Sequence, residues 1–179
     1  MAMPVATRPW TIDDLDRLPD DGNRYEVVRG DLFVTPPPTP DHETILSRLT
    51  RVLDPYVARN GLGFVYHPHS VFRSEGSQVE PDLMVRAQVT RESGWDNAPN
   101  PLLIVEVLSP STRRRDREQK RVFYVDAEIA DYWIVDAEAR TITVVRPGEK
   151  DVACAESLTW HPVGAAESLD VQVTDVFDD

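Results

Sequence analysis

The chain reads as a mixed α/β domain built on one sheet. Residues 102–108, LLIVEVL, are nearly all branched aliphatic, as suits a strand covered on both faces. Ile45, Leu46, Leu49, Val52, Leu53, Tyr56 and Val57 recur at the spacing of an amphipathic helix. Helical and extended segments then alternate along the chain, the order of helices packed on a sheet. A length of 179 residues with 41% hydrophobic content fits one domain, 1–179, with its own core.

Taken in order, residues 11–18 form a short helix, with Thr11 as cap and Asp14 three positions on. Residues 24–29 and 32–35 read as a hairpin around Gly30. Alternation puts Glu26 and Val28 on one face of its first strand, Tyr25 and Val27 on the other. The proline-rich stretch 36–41 ends at Asp41, a good N-cap for the amphipathic helix, and Asn60-Gly61 ends that helix. His42 falls in its first turn. Residues 62–67 and 71–73 are short strands, and 79–85 is a further strand carrying Asp82 behind Pro81. A polar loop, 90–101, leads to the apolar strand 102–108. Ser109 and Pro110 stop that strand, and Ser111 or Thr112 caps a helix running to about Val125. Residues 131–136 and 141–146 make a strand pair. Weaker strands follow at 151–155 and 169–173, and Val176 and Phe177 anchor an acidic tail.

The net charge of −12 disfavours broad adhesion to nucleic acid or anionic membrane, while leaving room for a local basic patch. The single cysteine, Cys154, excludes an internal disulfide and a cysteine zinc cluster. The first residues lack the apolar core of a signal peptide, and no run of about 18 apolar residues is present, so a soluble cytoplasmic protein is expected.

Two acids stand where acids are costly. Asp82 and Glu106 both sit in apolar strand sequence, and a buried carboxylate costs several kcal/mol unless it is paired or holds a cation. On adjacent strands they can converge, and their oxygens suit magnesium, manganese or calcium. Magnesium keeps waters, so two acids and one backbone carbonyl, for which Val107 is the natural donor, complete its protein ligands. The helix that follows is basic: residues 113–121 hold six bases and two acids. Arg113, Arg117, Lys120 and Tyr124 fall along one helical face, with Asp116 at its edge. An acidic metal pocket beside a basic helix is what phosphodiester cleavage requires: a lysine for the attacking water or the transition-state charge, and arginines for flanking phosphates. The plainer alternative is that Glu106 pairs with an arginine and the basic helix is a solvated face.

The combination of PD at 81–82, EVLSPST at 106–112, D-x-x-x-K-x-x-x-Y at 116–124 and DYWIVD at 131–136 resembles the Uma-two family of restriction-endonuclease-like proteins, within the PD-(D/E)XK nuclease superfamily. RYEVVRGDLFVTPPPTPDH, 24–42, resembles that family's first hairpin and its entry to a long helix. The likeness runs from about Thr11 to Arg146. It implies a restriction endonuclease-like core, a central mixed sheet flanked by helices, acting on DNA with Mg2+ or Mn2+, and a homodimer. It also implies Asp82 and Glu106 as metal acids, Lys120 as the catalytic lysine with Asp116 and Tyr124 around it, and Glu26 and His42 approaching the same pocket. The superfamily's lysine normally lies two residues after the second acid, where this chain has Leu108.

Two other function classes stay open. One is a non-catalytic nucleic-acid-binding or accessory domain on the nuclease fold, favoured by Leu108 and the net charge. The other is a cupin-like metal enzyme, from the H-x-H of His67 and His69 with Glu75 beyond; Pro68 between the histidines and the helical segments weigh against it.

Overall fold

The computed structural model describes residues 8–110 and 112–178. After the short helix α1 (Ile12–Leu15), strands β1 (Arg24–Val28) and β2 (Asp31–Thr35) form the expected hairpin. Its two-residue turn, Arg29-Gly30, has positive φ at both positions, 52° and 87°, matching the twist of the strands.

Helix α2 (Pro40–Arg59) is capped two residues before the expected Asp41. Thr39 is the cap, its hydroxyl accepting from the His42 backbone N–H at 3.3 Å, and Pro40 takes the first helical position, where no N–H is needed. His42 is thereby fixed at the helix entrance. The buried stripe Ile45, Leu46, Leu49, Leu53, Tyr56 and Val57 covers one face of the central sheet. Burying one such leucine is worth about 2 kcal/mol.

The expectation of one sheet is corrected: the described strands form three. The central sheet has six strands in the order β10-β9-β8-β7-β6-β3: β10 (Val152–Cys154), β9 (Thr141–Val145), β8 (Asp131–Asp136), β7 (Leu103–Val107), β6 (Leu83–Arg86) and β3 (Phe64–Tyr66). Only β7 and β8 pair in parallel, so the sheet is mixed. A second sheet orders β2-β1-β5-β4, with β4 (Phe72–Ser74) and β5 (Ser77–Val79). β11 (Ser157–Trp160) and β12 (Leu169–Gln172) pair beside the short helix α5 (Val173–Phe177).

The expected strand 79–85 is the reason for the split. The chain leaves the second sheet at Val79, turns through Glu80, Pro81 and Asp82, and enters the central sheet at Leu83. Asp82 therefore sits at a sheet-to-sheet step, held in neither ladder.

The parallel crossover from β7 to β8 runs through α3 (Arg113–Arg115), a π-helical turn over Asp116–Lys120, and α4 (Arg121–Asp126). Alternation along β7 sends Leu103, Val105 and Val107 into the core shared with α2. It sends Ile104 and Leu108 into the core shared with Phe123 and Tyr124 of α4. Glu106 shares the second face. The fold is an α/β one with a central mixed sheet flanked by helices, as expected. In the described residues no helix is long and apolar enough to cross a membrane.

Candidate functional site

Glu106 is 1% exposed in the middle of the central sheet. Its Oε1 accepts from Lys120 Nζ at 2.7 Å and from the Tyr124 hydroxyl at 2.8 Å. Lys120, wholly buried, also donates to Glu26 Oε1 at 2.8 Å. Glu26 reaches this point because β1 packs beside the crossover helix, and the same oxygen accepts the Glu80 backbone N–H at 2.8 Å, pinning the sheet-to-sheet step. Asp82 follows that step. Its Oδ2 accepts from the Val107 backbone N–H at 2.8 Å and lies 3.1 Å from His42 Nε2, while Oδ1 accepts from Arg24 Nη1 at 2.9 Å. Antiparallel neighbours β6 and β7 thus bring Asp82 and Glu106 to one place.

The π-turn decides which helical residues join them. An extra residue per turn rotates the later side chains relative to the earlier ones. Asp116, Lys120 and Tyr124 point inward and are buried. The predicted single face is therefore split. Arg113 and Arg117 turn to Asp136 instead, at 2.6 and 2.8 Å, and Arg113 also reaches Glu138 at 2.8 Å. Tyr124, expected around the catalytic lysine, is fully enclosed and touches Glu106, which leaves it no contact with substrate.

Four carboxylates, Glu26, Asp82, Glu106 and Asp116, face three permanent cations: Lys120, Arg24 and, 3.9 Å from Asp116, Arg115. Burial raises Glu26 and Asp82, but Lys120 with Arg24 outweighs it at the first, and His42 with Arg24 at the second, so both are held below the usual carboxylate range. The surplus falls on Glu106. Burial pushes it up to about 8; Lys120 opposes the rise, and the charges of Asp82, Asp116 and Glu26 add to it. Burial likewise raises Asp116. For Lys120 burial works downward, but Glu106 and Glu26 overcome it and keep the ammonium charged. His42 is also raised: burial works downward, but the bond to Asp82 together with the charges of Asp82 and Glu43 overcomes it.

Two buried oxygens, Glu26 Oε2 and Asp116 Oδ1, have no hydrogen-bond partner; Arg115 Nε and Lys120 Nζ are 3.9 and 4.0 Å from the latter. An all-oxygen, negatively charged set with spare lone pairs fits a hard divalent cation. Among the described residues, no three His, Cys, Asp or Glu side chains stand as a ready cage for one. Lys120 already joins Glu26 to Glu106, and Arg24 holds Asp82.

Arg24 was not singled out in the sequence. Alternation was the available signal, since it puts residue 24 on the face of Glu26. A cavity of about 560 Å³, lined by Trp10, Arg29, Phe33 and Gln119 among others, opens beside the hairpin turn and holds none of these acids. The histidine pair of the cupin alternative is corrected. β3 ends at Tyr66, before His67, and His69 has positive φ in an exposed bend, so the two do not share a strand face.

Residues 12–172 match the family described as "Uma2: Putative restriction endonuclease". The chain belongs to this family. A crystal structure from Anabaena variabilis described as a "putative nuclease" is similar at a TM-score of 0.79 and 21% identity, covering 94% of this chain and 98% of that one. At that identity the likeness is one of fold. No curated protein matches the chain. The Uma2 match spans every acid and base of the cluster, from Arg24 to Tyr124.

Proposed function

We propose that this Uma2-family protein is a divalent-metal-dependent endonuclease that hydrolyses DNA phosphodiester bonds, with Mg2+ or Mn2+ as cofactor. The observation that carries the proposal is a charged lysine seated 2.7 Å from Glu106, beside Asp82, in a pocket with more carboxylates than cations. Asp82 and Glu106 would hold the cation, with the Val107 carbonyl as a third oxygen. When bound, the cation supplies Lewis-acid polarisation of the phosphate and a lowered pKa for water.

The chain's own groups do the rest. Lys120 donates toward the attacking water or offsets charge on the pentavalent transition state. Glu26 keeps Lys120 protonated and aimed, Tyr124 fixes the Glu106 carboxylate, and His42 with the Val107 N–H fixes Asp82. Arg113 and Arg117 are committed to Asp136, so their part in holding flanking phosphates is confined to the rim. A cytoplasmic homodimer completes the proposal, because one site cuts one strand.

The test is Mg2+-dependent nicking of supercoiled plasmid by the full chain. Wild-type protein is expected to nick with Mg2+ or Mn2+ and not in EDTA, and Lys120→Ala to lose nicking. One arrangement favours the alternative of a non-catalytic nucleic-acid-binding domain: Arg24 and Lys120 already neutralise Asp82 and Glu106. Retarded DNA without nicking in any divalent metal would select that alternative.

A further inference from the structure

Two permanent cations bond the metal acids Asp82 and Glu106, and they are held very differently. Lys120 is locked: fully buried, with hydrogen bonds to two carboxylates. Arg24 is attached to the cluster by one hydrogen bond, from Nη1 to Asp82 Oδ1. Its Nε is buried without a hydrogen-bond partner, and its side chain, 15% exposed, is the most open of those that bond Asp82 or Glu106. It is the first residue of β1, directly after the turn at 20–23, so its long side chain enters from the rim. A guanidinium presents five N–H donors suited to bidentate oxyanion contact, and here most of that capacity is unused.

We propose that Arg24 is a stand-in cation, occupying Asp82 in the metal-free protein and leaving it for a phosphate oxygen when the divalent ion binds. This inference rests on the metal-dependent reading above and assigns a residue that the reading does not need. Charge drives the exchange. With Arg24 seated, four carboxylates face three single positive charges, those of Arg24, Lys120 and Arg115. A divalent ion at Asp82 and Glu106 supplies more charge than the guanidinium it displaces. The released guanidinium then lies beside the ion, where the anionic phosphate of a nucleic-acid strand provides the partner that Asp82 gave up. Arg24 thus couples cation binding to substrate binding. Metal-free protein keeps its acids compact through Arg24, and DNA takes up the arginine that metal expels.

The coupling has a readout apart from cleavage. Mn2+ binding to the full chain, stripped with EDTA and followed by electron paramagnetic resonance, measures competition at Asp82 directly. Removing the competitor in Arg24→Gln is expected to tighten Mn2+ binding by about 10- to 100-fold, the range of ordinary coupling between sites, while DNA affinity and nicking both fall. Arg24→Lys keeps the competing charge and is expected to bind Mn2+ close to wild type, but to lose phosphate affinity with the bidentate fork. It also covers the case in which Arg24→Gln fails to fold.

A folded Arg24→Gln that binds Mn2+ no tighter than wild type, or an Arg24→Lys with wild-type DNA affinity, overturns the stand-in role and leaves the metal site intact. Absence of Mn2+ binding by wild type, Arg24→Gln and Arg24→Lys alike removes the metal reading itself and the stand-in role with it.

Discussion

Two carboxylates on adjacent parallel strands are equally buried and very differently treated. Glu106 on β7 and Asp136 on β8 are each 1% exposed. Asp136 accepts five hydrogen bonds: two from Arg113, one from Arg117, and one each from the backbone N–H groups of Glu138 and Ala139. Its burial is outweighed by those arginine and backbone bonds, and its pKa is lowered. Glu106 accepts two, both on one oxygen, and its pKa is raised to about 8. Asp136 is a finished structural ion pair. Glu106 is an unfinished one, and an unfinished buried acid marks a candidate functional site.

Exchanging the two acids' fates is the strongest way to break this contrast. Glu106→Gln is expected to reduce Mg2+-dependent nicking by about a thousandfold or more, given what a single transition-state or metal contact is worth. Asp136→Asn is expected to stay within about tenfold of wild type. Comparable losses in both would erase the distinction.

The next largest effect is on stability. Asp136→Ala leaves Arg113 and Arg117 without their acid. Removing one partner of a fully buried pair costs about 3–5 kcal/mol; both arginines are a third or more exposed, which brings the expected loss to about 2–3 kcal/mol by urea denaturation. A loss below about 0.5 kcal/mol would show that the pair is decorative.

A smaller effect appears in pH dependence. The raised pKa of Glu106 means that the folded state binds its proton more tightly than the unfolded chain does. Stability in EDTA therefore falls as pH rises from the ordinary carboxylate range to about 8. His42, also raised, acts with the same sign at the upper end. The thermal midpoint of wild type should drop between about pH 5 and about 8 by more than that of Glu106→Gln, which keeps the parts of His42 and of the other raised acids, Asp116, Glu80 and Asp131. Equal slopes in the two proteins would place the surplus proton elsewhere. At the bottom of the scale, Arg114→Ala removes an exposed pair with Glu118 and should change stability by less than about 0.5 kcal/mol, with nicking unchanged.

The sequence made Glu106 legible because an acid inside LLIVEVL has no inexpensive explanation other than a partner or an ion. It made the hairpin, α2 and the β8–β9 pair legible through alternation, helical spacing and turn residues. It hid the step at 80–82, because alternation continues across a change of sheet and cannot report which neighbours a strand finds. It hid the π-turn as well. Nothing in DREQK distinguishes five residues per hydrogen-bonded turn from four, so Arg113 and Arg117 were placed on the face of Lys120, when tertiary contacts with Asp136 and Glu106 sort them apart. Arg24 was visible only as a residue of the right parity. Its bond to Asp82 spans 58 positions of sequence and is set by how the two sheets meet.

The central claim is that Asp82 and Glu106 share a hard cation. Anomalous scattering from a crystal soaked in MnCl2 addresses it most directly. The account predicts a manganese peak between the two carboxylates, with the Arg24 guanidinium turned away from Asp82 and Lys120 still at Glu26. Fully occupied Arg24–Asp82 and Lys120–Glu106 contacts with no peak at that position, in crystals that take up manganese elsewhere, would contradict it.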